Sequence, residues 1–390
     1  MTISTLAILA LAGLGLHFAL AQTPEVNAAL AGLKLPEGFH IERFSDVSAF
    51  GYPRMMTFDA EGHLLVTTAN SGRVLSIDRE GKVQVVTDGL NGPNGIALLG
   101  QDLLVAEKDG VVMLPYRDHG WGTPQPFISG LPDGGHSLKT VKVSPDGEIF
   151  INIGSSCNVC VEQDPLRATL LRFNREGRPA GALLTVGRHA QGAIWASGLR
   201  NSQGWAWHPE TGDMFATNEG ADNRSDRKHG PVNDALPPEH LNQIIAGKHY
   251  GWPYCWADPS TPAALMADPN MAAETGICAQ SEPPRLTMVS HSTPIGITFL
   301  HQAAFPTDYR QDAIVAQHGS WNRTQPSGYA LVRVKFRNHQ PESVVPFVSG
   351  WLKDNLAWGR PVDVAVGPDG LLYVSDDKTG WIYRIRYQPQ

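Results

Sequence analysis

The sequence predicts an all-β fold, a six-bladed β-propeller with a long, disulfide-bearing insertion in the region of the fourth blade. Three observations predict it. One unit recurs six times: a polar or glycine-rich start, an alternating apolar strand, a turn often of the Asp-Gly kind, then a second apolar strand. No long stretch of helical period separates these units. Gly (40) and Pro (29) are abundant in a chain whose 42% hydrophobic content excludes disorder, which suits many short strands joined by tight turns.

The first unit, "PRMMTFDAEGHLLVTTANSGRVLSID", begins at Pro53, and the second, "GPNGIALLGQDLLVAEKDGVVML", at Gly92. The third, "HSLKTVKVSPDGEIFINIG", begins at His136, with "TLLRFN" as an outer strand. The fourth, "RNSQGWAWHPETGDMFATNEG", starts at Arg200. The fifth runs from Ser292 and continues into "GYALVRVKF"; the sixth, "GRPVDVAVGPDGLLYVSDDKTGWIYRIRY", starts at Gly359. A three- or four-stranded sheet cannot bury both faces alone. Packing six radially does so and leaves few free edges. An array of β-sandwiches is the alternative, and it explains the regular Pro-Asp-Gly hairpins less well.

Between Gly220 and Ser292 the fourth unit is interrupted by a long segment rich in Pro, Ala and Asp, carrying one cysteine pair and the aromatic run "YGWPYCW". Long ordered insertions in compact domains are usually functional. This one is expected to wall a site; the alternative is a surface excursion. At the other end, an apolar run from Leu6 to Leu20 closes on Ala19-Leu20-Ala21, a small-x-small cleavage pattern without a basic leading region. Residues 1–21 are therefore read as a signal peptide and 22–390 as a single catalytic propeller, periplasmic or secreted. The run is shorter than the ~20 apolar residues of a span, so an uncleaved membrane anchor is the lesser reading, and stable membrane insertion is not expected.

An exported chain with four cysteines favours two disulfides, Cys157–Cys160 and Cys255–Cys278. Haem attachment at Cys157-x-x-Cys160 would need a following His, where Val161 stands; zinc would need a second close pair. A net charge of −7 argues against a nucleic-acid partner.

In a propeller the first strand of each blade lines the central channel, and residues at its start face the funnel. Those positions carry Arg54, His136 with Lys139, Arg200-Asn201-Gln203, and Arg360 with Asp363. Gly134 and Gly135 precede His136 and bring the backbone close to a neighbour. Desolvating so many cations is costly unless an anion answers them. Either carboxylates such as Asp363 or Glu219 do so, or the channel takes a planar, carboxylate-bearing ligand, for which Arg is the natural partner. Arg323, beside a stacking candidate Trp321, adds to the set. In "NEGADN" the carbonyls of Gly220 and Ala221 lie near Glu219 and Asp222; hard oxygens in a loop suit Ca²⁺, and the alternative is a plain turn.

These segments resemble the soluble pyrroloquinoline quinone (PQQ)-dependent sugar dehydrogenases, in the branch of aldose, sorbosone and pyranose dehydrogenases. The resemblance is carried by "GGHSLKTVKVSPDG", "GLRNSQGWAWHP", "NEGADN", "EHLNQIIAGKHYGWPYC", "HSTPIGITF", "HGSWNR" and "GRPVDVAVGPDGLLYVSDD", in the family order. It implies PQQ over the channel mouth with a bridging Ca²⁺. His136 would be the base. Arg200 and Asn201 would contact the reactive quinone oxygen, and the Gly220 and Ala221 carbonyls would ligate Ca²⁺. Arg54, Lys139, Arg323 and Arg360 would face the PQQ carboxylates or the substrate. A second Ca²⁺ would use Glu239 and the Tyr250 carbonyl. Where some relatives have Gly-Pro at the metal loop this chain has Gly-Ala, and Val362 occupies a place that is basic in some relatives. With no cytochrome segment after the last unit, a separate carrier such as a cytochrome or quinone is expected to take the electrons.

The expected reaction is oxidation of an aldose or related carbonyl sugar, with imidazole taking the hydroxyl proton and the quinone the hydride. Two other functions compete: a Ca²⁺-dependent, lactonase-like propeller hydrolase, which needs Glu, Asn and Asp converging on a channel ion, and a propeller that only binds.

Overall fold

The computed structural model describes residues 23–182, 192–271 and 276–389. The signal peptide expected over 1–21 lies outside them. Six antiparallel four-stranded sheets form the body. Blade 1 spans 53–87, blade 2 96–129, blade 3 141–197, blade 4 205–288 and blade 5 294–348. Blade 6 combines 361–387 with 39–46. The first strands of blades 1 and 2, 2 and 3, 4 and 5, 5 and 6, and 6 and 1 pack against one another, so they ring the axis.

The second strand of a blade has a neighbouring blade over each face, and its sequence shows it. Leu64–Thr68, Ile149–Ile153, Met214–Asn218, Ala313–Gln317 and Leu372–Asp376 are buried at every position. The core is therefore a set of wedges between blades. Leu300, Ile314, Trp351, Val374 and Tyr383 fill that between blades 5 and 6. Gly147 and Gly370 take positive φ in the Pro-Asp-Gly turns, as a tight hairpin requires.

Two features differ from the sequence reading. Phe39–Asp46 belongs to no predicted unit, yet it pairs antiparallel with Trp381–Tyr387, from Phe39 opposite Tyr387 to Asp46 opposite Trp381. The start of the domain thus supplies the outer strand of the last blade and closes the ring. The segment 220–292 is also more than an insertion. Its strands Glu239–Ile244 and Leu286–Met288 complete blade 4. Of the regular elements described in this segment, the hairpin Cys255–Asp258/Thr261–Ala267 and the short helix Ile277–Gln280 stand outside the blade, tied by the Cys255–Cys278 disulfide. The Cys157–Cys160 disulfide is also formed. Among the described residues no helix is long and apolar enough to cross a membrane.

Candidate active site

An antiparallel hairpin brings the start of each first strand beside the end of the second. At that end of the blades a cavity of about 320 Å³ opens. Arg54 reaches it from blade 1, His136 from the start of blade 3, Arg200, Asn201 and Gln203 from the start of blade 4, and Arg360 from the start of blade 6. Glu219 and Asp222 follow the second strand of blade 4, and His318 that of blade 5. Glu239, Gly220, His291, Thr293 and Asn322 complete the polar wall. Trp321 stands at the rim, 74% exposed.

His136 is set by its neighbours. A Cβ on Gly135 would fall 2.5 Å from the Ser155 carbonyl oxygen, and one on Gly154 would fall 2.4 Å from the His136 Cβ. The two backbones approach this closely only because both positions are glycine. His136 Nδ1 lies 3.1 Å from the Ser155 carbonyl oxygen and 3.0 Å from Ser155 Oγ, whose own hydrogen goes to the Cys157 carbonyl at 2.7 Å. A carbonyl only accepts, so Nδ1 carries the proton and Nε2 keeps its lone pair. Burial, then the nearby Arg200 charge, hold the imidazole at about 4, so it is neutral at physiological pH.

The arginines differ in how they are held. Arg200 donates from Nη2 to Asp222 Oδ2 at 2.9 Å and to Asn158 Oδ1 at 3.0 Å, and from Nε to the Asn158 carbonyl at 3.1 Å. Arg54 donates to Asp377 at 2.8 Å, to Asn94 at 3.0 Å and to Gln203 at 3.1 Å. Among the described residues the Arg360 guanidinium has no carboxylate partner: it donates to the carbonyls of His318 and Gly319, each at 3.2 Å, and lies 5.9 Å from the centre of the Tyr329 ring. The carboxylates that answer Arg200 and Arg54 are thus Asp222 and Asp377. Asp363 and Glu219, the partners weighed from the sequence, form no direct ion pair with either, although Glu219 feels the charge of both and Asp363 that of Arg54. Asp363 is buried and accepts instead from the Met56 amide at 2.9 Å. Asp377 also meets His318 Nε2 at 2.8 Å. Its burial opposes ionisation, but His318 and Arg54 hold its carboxyl well below the usual carboxylate range.

The cup is less cationic than the sequence suggests, because Glu219, Asp222 and Glu239 line it too. Glu219 accepts from Asn201 Nδ2 at 2.9 Å and from Gln203 Nε2 at 3.3 Å. Glu239 accepts from the amides of Gly220 at 2.6 Å and Thr293 at 3.2 Å. Burial pushes both glutamates up, Glu239 to about 8, with the Glu219 charge adding to its rise. Glu219 and Glu239 are thus two desolvated carboxylates beside the Gly220 turn; with Asp222 they do not close into a three-ligand group, so a hard divalent cation there would need backbone or ligand oxygens as well. The described Cys/His/Asp/Glu cluster of metal-binding spacing, Cys157, Cys160 and Glu162, has its sulfurs joined in a disulfide.

Several predicted site residues fall elsewhere. Lys139 does not line the cavity. Its buried ammonium donates to the carbonyls of Lys108, Pro132 (2.7 Å) and Ser137 (3.3 Å), and burial pushes it down to about 8. A cation leaving water needs several acceptors, and these carbonyls offer them away from the channel. Arg323 also lies off the lining, donating to the Ser290 carbonyl at 3.2 Å. Ala221 and Tyr250 line a separate cavity of about 20 Å³ under the Gly220 turn, whereas Glu239 lines the large one. The Tyr250 hydroxyl is occupied by the Gln243 carbonyl and the Ile245 amide.

The sequence reading did not single out His291, His318, Asn322 or Asp377 for the site. A signal existed for two of them. The residue just past a second strand is Glu219 in blade 4, His318 in blade 5 and Asp377 in blade 6.

Comparison with known proteins places the chain in a family. The model of the TrAA12-like family matches residues 33–388. The chain belongs to the TrAA12-like family. The family's fold agrees with the six blades. A Trichoderma reesei protein of carbohydrate-active enzyme family AA12 superposes with a TM-score of 0.77 at 21% identity, over 91% of this chain and 98% of that one. The PQQ domain of pyranose dehydrogenase from Coprinopsis cinerea, in its holo form, gives 0.76 at 21%, over 91% and 97%. In sequence, the PQQ-dependent pyranose dehydrogenase of Coprinopsis cinerea is 24% identical over 392 aligned positions, covering 86% of this chain. This chain spans about half that relative's length, 52%. An uncharacterized protein of Borreliella burgdorferi is 26% identical over 91% of each chain. The motif resemblance to PQQ-dependent sugar dehydrogenases accords with these matches.

Proposed function

We propose that this TrAA12-like protein is a PQQ- and Ca²⁺-dependent dehydrogenase of aldoses or related carbonyl sugars, exported and passing its electrons to a separate carrier. The observation that carries the reading is His136. It is a neutral imidazole, fixed as the Nδ1–H tautomer, in a cavity it shares with three arginines. The relatives that carry PQQ in their names act on pyranose and aldose sugars. Two disulfides suit an oxidising compartment.

The residues present fit a planar polyanion. Arg360, which has no carboxylate partner among the described residues, and Arg54 would receive carboxylates, while Arg200 and Asn201 would face the reactive edge. Gly220 with Glu219 and Glu239 would hold the cation. When bound, PQQ supplies a two-electron acceptor and Ca²⁺ the Lewis acidity that polarises it. The protein's own part is to accept the sugar hydroxyl proton at His136 Nε2, to hold positive charge at Arg200 where negative charge develops, and to present Trp321 to the sugar ring. Purified protein loaded with PQQ and Ca²⁺ should reduce a redox dye with some member of an aldose panel. Dye left unreduced across the panel would defeat the reading.

A second reading has one observation in its favour. Asn201, Glu219, Asp222 and Glu239 do converge, as a Ca²⁺-dependent lactonase would need. Lactone hydrolysis with Ca²⁺ and without PQQ would favour it.

A further inference from the structure

Arg200 is buried, yet what holds it comes mostly from one exposed residue of another blade's loop. The Asn158 carbonyl accepts from Arg200 Nε, and Asn158 Oδ1 accepts from Arg200 Nη2. The same side chain pairs with the Asp222 backbone at both ends: Oδ1 accepts from the Asp222 amide at 2.8 Å, and Nδ2 donates to its carbonyl at 2.9 Å. The Asn158 carbonyl also accepts from Trp252 Nε1 at 3.1 Å. Asp222 in turn binds Arg200 through Oδ2 and Asn322 Nδ2 through Oδ1, at 2.9 Å each. Among the described residues Arg200 Nη1 has no protein partner, so the clamp leaves that nitrogen free while fixing the other two.

Asn158 sits inside the loop closed by Cys157–Cys160, a bridge across a sequence separation of 3. So short a covalent ring limits where the Asn158 carbonyl can point. The same loop holds the Ser155 hydroxyl through the Cys157 carbonyl, and Ser155 fixes His136.

We propose that Asn158, presented by the Cys157–Cys160 ring, is the positioning residue that fixes the Arg200 guanidinium at the cavity wall beside His136. No other residue type makes all of these bonds. Ala loses the side-chain bonds, and Asp sets an oxygen against the Asp222 carbonyl. The catalytic consequence rests on the proposed dehydrogenase reading; the clamp itself does not.

The test is nitrogen NMR of selectively labelled purified protein without cofactor. The charged groups that face His136 are Arg200, Asp222 and Arg167. In the wild type burial, then the Arg200 charge, hold His136 at about 4. In Asn158→Ala, which removes an exposed side chain, and in Cys157→Ser/Cys160→Ser, Arg200 swings away and the midpoint rises by about one unit. A midpoint unmoved in a variant whose circular dichroism matches wild type overturns the proposal. The wild type gives its own check: Arg200 Nε–H exchanges slowly, and rapid exchange there overturns the proposal even if both variants misfold. In PQQ-loaded enzyme Asn158→Ala lowers kcat about 10-fold with little change in KM. If wild type lacks dehydrogenase activity the function reading falls, while the NMR result still decides the clamp.

Discussion

The two sides of the cavity are built differently. On the side of blades 3 and 4, His136 and Arg200 are held by loops, namely the Ser155 turn, the disulfide ring and Asp222. On the side of blades 5, 6 and 1, Arg54, His318, Asp377 and Arg360 sit at the ends of regular strands. They hold one another through a chain from Arg54 to Asp377 to His318. On the proposed reading the loops carry the reactive groups, where geometry can be tuned one bond at a time. Strand ends carry a rigid charged seat because the blades already fix them. The account therefore assigns chemistry to the first side and cofactor affinity to the second.

The sharpest way to break that division is His136→Ala. It should lower turnover by about 10²–10⁴-fold while PQQ still binds. Loss of binding, followed by titration of cofactor absorbance, would put His136 on the seat side. Arg200→Ala should lower kcat by about 10²–10³-fold, more than it raises KM. An effect confined to KM would contradict a role in the reacting state. Arg360→Ala, on the other side, should weaken PQQ affinity by roughly 10–100-fold, since charged hydrogen bonds are lost, with kcat at saturation nearly kept. A collapse of kcat with affinity unchanged would reverse the assignment.

The pH dependence should be gentler. Burial depresses His136 to about 4. The base should stay unprotonated down to that value, and the acid limb of kcat/KM should fall near 4 rather than near the ordinary 6.5. The same burial holds His240 and His249 at about 4. Each folded-state value lies below its unfolded one, so the stability they contribute is full above 6.5 and is lost as pH falls toward 4. The thermal midpoint should drop across that window.

The smallest effect expected is from chelation. On the proposed reading, chelating Ca²⁺ from the loaded protein should lower the thermal midpoint by a few degrees, because Glu219 and Glu239 would lose their counter-charge, and Glu239→Gln should blunt that response. An equal response in the variant would move the ion elsewhere.

Much of this was legible in the sequence, for local reasons. The blades announce themselves through Pro-Asp-Gly turns such as that at Gly147, and the site through charges at strand starts: Arg54, His136, Arg200 and Arg360. What escaped was non-local. Nothing in "FHIERFSD" says that Phe39 will lie opposite Tyr387. Glu239–Ile244 completes blade 4 from inside a segment whose composition reads as insertion. Asn158 and Asp377 draw their meaning from partners more than 40 and 300 positions away in sequence, 42 for Asn158 with Arg200 and 323 for Asp377 with Arg54. Lys139 misled because a cation near a strand start can turn to nearby carbonyls instead of the channel.

The most direct measurement is the anaerobic absorption spectrum of the PQQ- and Ca²⁺-loaded protein after mixing with aldoses. The account predicts that the spectrum of the oxidised cofactor is lost with some aldose in wild type and persists in His136→Ala. A cofactor that binds tightly yet keeps its oxidised spectrum with every sugar would contradict it.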